Sequence, residues 1–298
     1  MTKQNQKIGL LAATSLVVGN IIGAGIFVLP ASLAKFGSIS IVGWLFTATG
    51  ALILAKIFSN FSKKLKGKSG GPYIYSKVVF GDFIGFLVAW GYWISCWVNN
   101  AAIAVAIVSA LSFFFPELVT NPFYATLTGL SFIWVFTFTS SKGIKSSGNI
   151  QILTTIAKLI PLVLIILFGF FIFDLEIFPE FNLTDQNDFE ILPVVAVMTL
   201  YAFLGLECAS IPAENIKNPE KTIPKATMAG TLISTLIYIL STIVLFGIIS
   251  AENLINSPAP FAEAGEIIGG KYFGFLISAG AAISAIGALN GWILITSY

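Results

Sequence analysis

Two ionisable side chains lie inside long apolar runs: Lys158, in Ile156-Ala157-Lys158-Leu159-Ile160-Pro161, and Glu207, in Phe203-Leu204-Gly205-Leu206-Glu207. Each costs about 2.5–3.5 kcal/mol at the centre of a membrane helix on insertion scales, so such residues are read first as functional. The chain has no histidine, and all sixteen of its basic residues are lysines. Any proton handling therefore rests on lysine or carboxylate. Glycines interrupt two of the apolar runs near mid-membrane, at Gly19-Asn20-Ile21-Ile22-Gly23-Ala24-Gly25 and around Gly205. Backbone that leaves the helix at that depth exposes N–H and C=O groups, which is tolerated only where they face protein or a water-filled cavity. In secondary transporters those freed groups hold the charged ends of a substrate, with half-helix N-termini meeting its carboxylate. Gly19 and Gly23 also fit a G-x-x-x-G helix-packing pattern. The Asn20 amide in the same turn, and a matching break five spans later, favour the transporter reading.

The elements that must position these residues are membrane helices. The chain is 56% hydrophobic and only 10% charged, with mean hydropathy +0.91, where soluble domains carry about 25% charged residues. Units of roughly 20 apolar residues divide it into eight spans, at about 8–34, 39–61, 73–114, 123–140, 149–173, 189–211, 226–250 and 271–298. The third is too long for one span, so its first part, through Phe80, is expected along the interface. The first is longer than the 7–15-residue core of a signal peptide and is read as retained. Lys3, Lys7, Lys63, Lys64, Lys66, Lys68, Lys142, Lys145, Lys217, Lys221 and Lys225 fall at the N-terminus and in alternate loops, which the positive-inside rule places in the cytoplasm. The opposite loops carry Asp174, Glu176, Glu180, Asp185, Asp188 and Glu190, then Glu252, Glu263 and Glu266.

Several functions are excluded or unsupported. Cys96 and Cys208 both sit in apolar runs, where a thiol behaves as a small hydrophobe, so neither a disulfide nor a metal site is expected, and no cofactor. The glycine cluster lacks the surrounding strand that a dinucleotide fingerprint needs, and the Lys63–Lys68 cluster reads as a solvated loop end, so no nucleic-acid role follows. An enzyme is not expected, because the chain has no His cluster, paired aspartates or G-x-S-x-G elbow.

The separation of the two breaks suggests an inverted repeat of five-helix halves, 1–173 and an incomplete 189–298. At this point the sequence resembles a known family. Gly-Asn-Ile-Ile-Gly-Ala-Gly-Ile-Phe with Leu29-Pro30, Gly70-Gly71-Pro72-Tyr73 with Phe80-Gly81, and Gly205-Leu206-Glu207 with Asn218-Pro219 and Ile223-Pro224 are similar to amino acid–polyamine–organocation transporters. The likeness is nearest to bacterial arginine/agmatine and related basic amino acid antiporters, and it extends over essentially the whole chain. It implies an all-α integral membrane protein of LeuT-like inverted-repeat fold, with the first and sixth helices broken and eight of about twelve transmembrane helices present. It implies amino acid transport across the bacterial inner membrane by alternating access, with an amino acid, or the amine made from it, and protons as partners.

Carried over residue by residue, the resemblance places the α-carboxylate and α-amino group of the substrate at Asn20, Ile21, Ala24 and Gly25. It draws further contacts from Ser95, Cys96 and Asn100, makes Tyr92 a cytoplasmic gate and gives Glu207 a part in pH-dependent gating. Tyr201 and Leu204 align with the platform and apolar contact for the substrate side chain, and Trp292 with an outer aromatic gate. Tyr stands at 201 where the antiporters have Trp, a better cation–π face, and Ala24 stands where they have a hydroxyl residue, so a guanidinium substrate is not specified. Lys158 matches proton-coupled members whose lysine ammonium occupies the place of a coupling sodium ion. The competing reading of Lys158 is snorkelling to an interface, but it lies nine residues from Asn149 and further from Asp174.

The chain stops at Thr296-Ser297-Tyr298, within the eighth span, which implies a split or truncated reading frame. Two readings stay open: a transporter, as a homodimer or completed by a second polypeptide, and a non-transporting membrane module such as a sensor or inactive remnant. Which amino acid is carried, and whether by exchange or proton symport, is not written in the sequence.

Overall fold

The computed structural model describes residues 7–65, 68–112 and 115–298. Lys3 and Lys66, and the last two residues of the expected third span, lie outside them. The described residues are almost all helical. They form α1 (Leu10–Ile21), α2 (Leu29–Ala34), α3 (Ile39–Lys64), α4 (Pro72–Phe80), α5 (Asp82–Ser112), α6 (Glu117–Thr120), α7 (Pro122–Ser141), α8 (Ile144–Gly169), α9 (Asp188–Tyr201), α10 (Pro219–Phe246), α11 (Ala251–Asn256) and α12 (Pro260–Thr296). Six of these are long and apolar enough to cross a membrane: α3, α5, α7, α8 extended to Ile172, α10 and α12.

The first and sixth apolar runs are the broken ones. After α1 the chain passes through Ile22–Ala24 into a 3₁₀ turn at Gly25–Phe27 before α2 begins. After α9 it runs through turns from Ala202 to a 3₁₀ turn at Cys208–Ser210, with Gly205 at φ 109°. The second half of the sixth run is thus a series of tight turns rather than a second helix.

Glycine also ends elements elsewhere. Gly71 and Gly81, at φ 46° and 89°, bound α4 on both sides, so the segment through Phe80 is a separate short helix and not the start of α5. Gly269 and Gly270 leave the helical region inside α12 and divide it into a segment at 260–268 and a long helix from 271. The sequence had placed this segment, and α11, in a loop.

The long helices pack through small and hydroxyl side chains, which let backbones approach closely in a bilayer. α3 turns Ala48, Ala51, Ala55 and Ser59 inward, all at most 4% exposed, and packs on α9 and α10. The Trp44 indole donates to Thr242 Oγ1 at 3.1 Å, and Thr47 and Thr199 share a hydroxyl contact at 3.0 Å.

The loops sort to two ends. Ile8 pairs with residues 215–217, Gly70 N–H donates to the Ile211 carbonyl, and Ile8 packs on Gly148, which brings the lysine-bearing segments together. At the other end, Ser38 and Ile39 donate to the carbonyls of Glu180 and Phe181, and Asp174 to that of Gly247. The lysine-rich and acid-rich loops predicted for opposite sides therefore occupy opposite ends of the bundle.

Candidate functional site

The two breaks meet. A Cβ on Gly205 would lie 2.9 Å from the Asn20 carbonyl carbon and 3.1 Å from the Ile21 nitrogen, so only glycine brings the sixth run this close to the first. The Tyr238 hydroxyl of α10 sits 2.6 Å from the Ile21 carbonyl and 3.1 Å from that of Ala202. Its single proton thus serves carbonyls released at both breaks.

A helix end leaves its last carbonyls without intrahelical partners. At the end of α1 these are satisfied from α8 and α12. Lys158, fully buried, donates from Nζ to the carbonyls of Ile22 at 2.6 Å, Gly19 at 3.0 Å and Ser284 at 3.2 Å. The Ser284 hydroxyl donates to the Gly23 carbonyl at 3.0 Å. A cation at a helix C-terminus also meets the favourable end of the macrodipole. Snorkelling is therefore not what this lysine does, since its ammonium points inward at the break.

Beyond the break the chain opens onto space. A Cβ on Gly25 would meet nothing within 4 Å, and Ala24, Gly25, Phe27 and Val28 border a cavity of about 370 Å³ with Ala106 and Ser109 of α5 and Ser278 of α12. Phe261, from the 260–268 segment, lies edge-on to Phe27 with ring centroids 5.2 Å apart, at the border of the same cavity.

On the other side of the breaks, the Tyr92 hydroxyl of α5 donates to Glu207 Oε1 at 2.7 Å. Cys96 and Cys208 are free and buried, Cys96 one turn along α5 from Tyr92 and Cys208 next to Glu207 in the chain. Tyr92, Cys96, Glu207 and Cys208 therefore form one cluster bridging α5 and the sixth run.

Asn20, Ile21, Ala24, Gly25, Tyr92, Cys96, Lys158 and Glu207 are thus gathered around the two breaks. The other predicted residues lie elsewhere. Ser95 is exposed and its hydroxyl donates to its own helix, at Tyr92 O. Asn100 donates to Thr296 Oγ1 at 2.9 Å and lines a second cavity of about 450 Å³ with Trp97, Thr137 and Ser140. Tyr201 and Leu204 are 69% and 52% exposed, facing away from the described core. Trp292 is buried at the end of α12 beside the lysine-rich loops, where its carbonyl accepts from Thr296.

Tyr238, Ser284, Gln151 and Asn290 went unnoticed in the sequence. The signal available was polarity in an apolar helix, but Ser and Thr recur throughout these helices and dilute it.

The profile described as Amino acid permease matches residues 8–298. The chain belongs to the amino acid permease family. Among its relatives, the "Cadaverine/lysine antiporter" of Escherichia coli (strain K12) is 34% identical over 97% of this chain and 65% of its own. The "Arginine/ornithine antiporter" of Pseudomonas aeruginosa is 34% identical over 98% of this chain and 62% of its own. The "Putrescine transporter PotE" of Haemophilus influenzae is 36% identical over 98% and 67%. The chain thus spans about 65% of the length of the curated relatives it matches. A solved substrate-bound, outward-open Na+-coupled sialic acid symporter is similar with TM-score 0.62 and 17% identity, over 99% of this chain and 64% of that one. The chain therefore has a LeuT-like transporter fold, its described residues almost all helical, and is a multi-pass membrane protein.

Proposed function

We propose that this chain is a secondary transporter of an amino acid, or of the amine made from it, in the bacterial inner membrane, coupled to protons through Lys158. The observation that carries the reading is the Lys158 ammonium on the carbonyls freed at the end of α1. When charged it holds the break against α8 and α12, and when neutral it loosens that hold. Proton binding thereby biases two orientations of the broken helices, which is what a coupled transporter needs.

The substrate carboxylate meets backbone N–H groups at Ala24 and Gly25, where the second half of the broken helix begins and the 370 Å³ cavity opens. The Tyr92–Glu207 hydrogen bond closes the path on the lysine-rich side, which is the cytoplasmic one by the positive-inside rule. Relatives that exchange a basic amino acid for an amine support a substrate of that class. The same relatives favour transport over a sensor or remnant.

The test is Lys158→Ala in proteoliposomes, with the chain reconstituted alone and with the product of the neighbouring reading frame. Accumulation driven by a pH gradient is lost, while exchange of labelled for unlabelled substrate persists. If accumulation in the variant still follows the imposed gradient as in the parent, Lys158 is not the coupling group and Glu207 takes its place as candidate.

A further inference from the structure

The buried face of α8 changes character at Lys158. Toward the Lys142 and Lys145 end it is polar, with Ser147, Gln151, Thr154 and Thr155; beyond Lys158 it is apolar, with Pro161, Leu162, Ile165 and Ile166. Ser147, Gln151, Thr154 and Lys158 follow one another at three- and four-residue intervals and so line one stripe. At 1.5 Å per residue, the stripe from Ser147 to Lys158 is about 16 Å long. Burying four polar side chains in a row is costly in a membrane unless each finds a partner.

α12, antiparallel to α8, repeats the asymmetry. Asn290 donates to the Ser147 carbonyl at 3.0 Å and to Gln151 Oε1 at 2.9 Å. Gly287 lies against Thr154 and Ser284 against Lys158, whereas Gly280 meets Pro161. Asn20 of α1 faces the same column, since a Cβ on Gly291 would overlap its Oδ1 and come within 3.1 Å of Gln151 Oε1.

Within this column several buried polar atoms make no hydrogen bond to the described residues: the Ser147 hydroxyl, Asn290 Oδ1, and both polar atoms of the Asn20 amide. Asn20, Ser147 and Asn290 are at most 4% exposed. Unpaired groups this deep normally bind internal water, which needs two to four polar partners. The column supplies them, and the apolar half of α8 does not.

We propose that this polar column between α1, α8 and α12 is the route by which Lys158 exchanges its proton with solution at the Lys142 and Lys145 end. The inference rests on the coupling role given to Lys158 above. In the release step an N–H bond of the ammonium breaks and its electron pair stays on Nζ. The proton passes to a water held by the column, and an equivalent proton leaves to bulk water at the open end. Lys158 faces carbonyls of α1 and α12 and the Gly287 backbone. On α10 the nearest titratable group assigned to the break is the Tyr238 hydroxyl, held at Ile21. No described carboxylate bonds to the ammonium, so water is its proton acceptor. Ile8, packed on Gly148, closes the column's end in this conformation.

The test reads hydration and coupling separately. Cysteines are placed one at a time at Ser147, Thr154, Leu162 and Ile165 in the full chain in native membranes. Each is exposed to Ag+, then assayed in its own peptide by mass spectrometry after denaturation and alkylation. Thiols at 147 and 154 become blocked, and those at 162 and 165 stay open to alkylation. In proteoliposomes Gln151→Leu slows pH-driven accumulation roughly tenfold, as a loss of one polar partner does to a barrier, and leaves substrate exchange near the parent rate. Equal blocking at all four positions, or none at 147 and 154, overturns the route while leaving the Lys158→Ala result to decide coupling by itself. Parent-like accumulation in Gln151→Leu, where Lys158→Ala has lost it, also overturns the route. If Lys158→Ala itself accumulates normally, the coupling reading falls and the route falls with it.

Discussion

Gly205→Ala measures whether the two breaks touch as described. The added methyl group would lie 2.9 Å from the Asn20 carbonyl carbon, which is backbone and cannot swing aside as a side chain can. The residue also sits at φ 109°, where a non-glycine residue costs about 1–3 kcal/mol. Overpacking against backbone adds about 1–3 kcal/mol. A combined loss of about 3 kcal/mol corresponds to a fall of about 5 °C in melting temperature for a chain of 298 residues, at about 2.1 cal/mol/K of unfolding entropy per residue. Gly25→Ala is the control, because its φ is not in the left-handed region and no atom lies within 4 Å of the new Cβ. A substitution of that kind stays within about 0.5 kcal/mol of the parent. Both variants are purified in detergent and melted, following the fluorescence of the six tryptophans. If Gly205→Ala melts within about 1 °C of the parent, the approach of the sixth run to Asn20 is wrong.

Tyr238→Phe removes the one proton shared by the Ile21 and Ala202 carbonyls. It lowers stability by about 1–3 kcal/mol, read in the same melting assay, and unchanged melting would show those carbonyls to be satisfied otherwise. Gly25→Leu keeps membrane insertion but fills the mouth of the 370 Å³ cavity, so equilibrium binding of whichever labelled amino acid or amine the parent binds is abolished; unchanged affinity would mean that the glycine cluster serves packing alone. A cysteine at Asp185, exposed in the acid-rich loop, reacts with an impermeant maleimide on intact cells after the outer membrane is permeabilised. Labelling only after the inner membrane is broken would invert the topology.

The sequence by itself determined what depends on local composition. Long apolar runs give the membrane helices, glycines within two of them give the breaks, and the alternation of lysine-rich and acid-rich loops gives their two ends. That the segment through Phe80 stands apart from the third span followed from length alone; that it is a helix, α4, came from the structure. Lys158 and Glu207 stood out because a charge in an apolar run is costly wherever the helix faces. Only the tertiary structure decided what each side chain meets. Apart from the polar stripe of α8, these helices carry apolar residues on every side, so no amphipathic pattern announces which side faces the protein interior. Lys158 could therefore be singled out, but its carbonyl partners on α1 and α12 could not be named. Tyr201 lies on α9, Leu204 in the turns after it and Asn100 on α5, and the direction of each came from packing. The pairing of Gln151 with Asn290, and the Tyr238 hydroxyl at both breaks, join residues more than thirty positions apart. Such contacts are fixed by how closely small residues let the helices approach, and that distance is a property of the assembled bundle and not of any one segment.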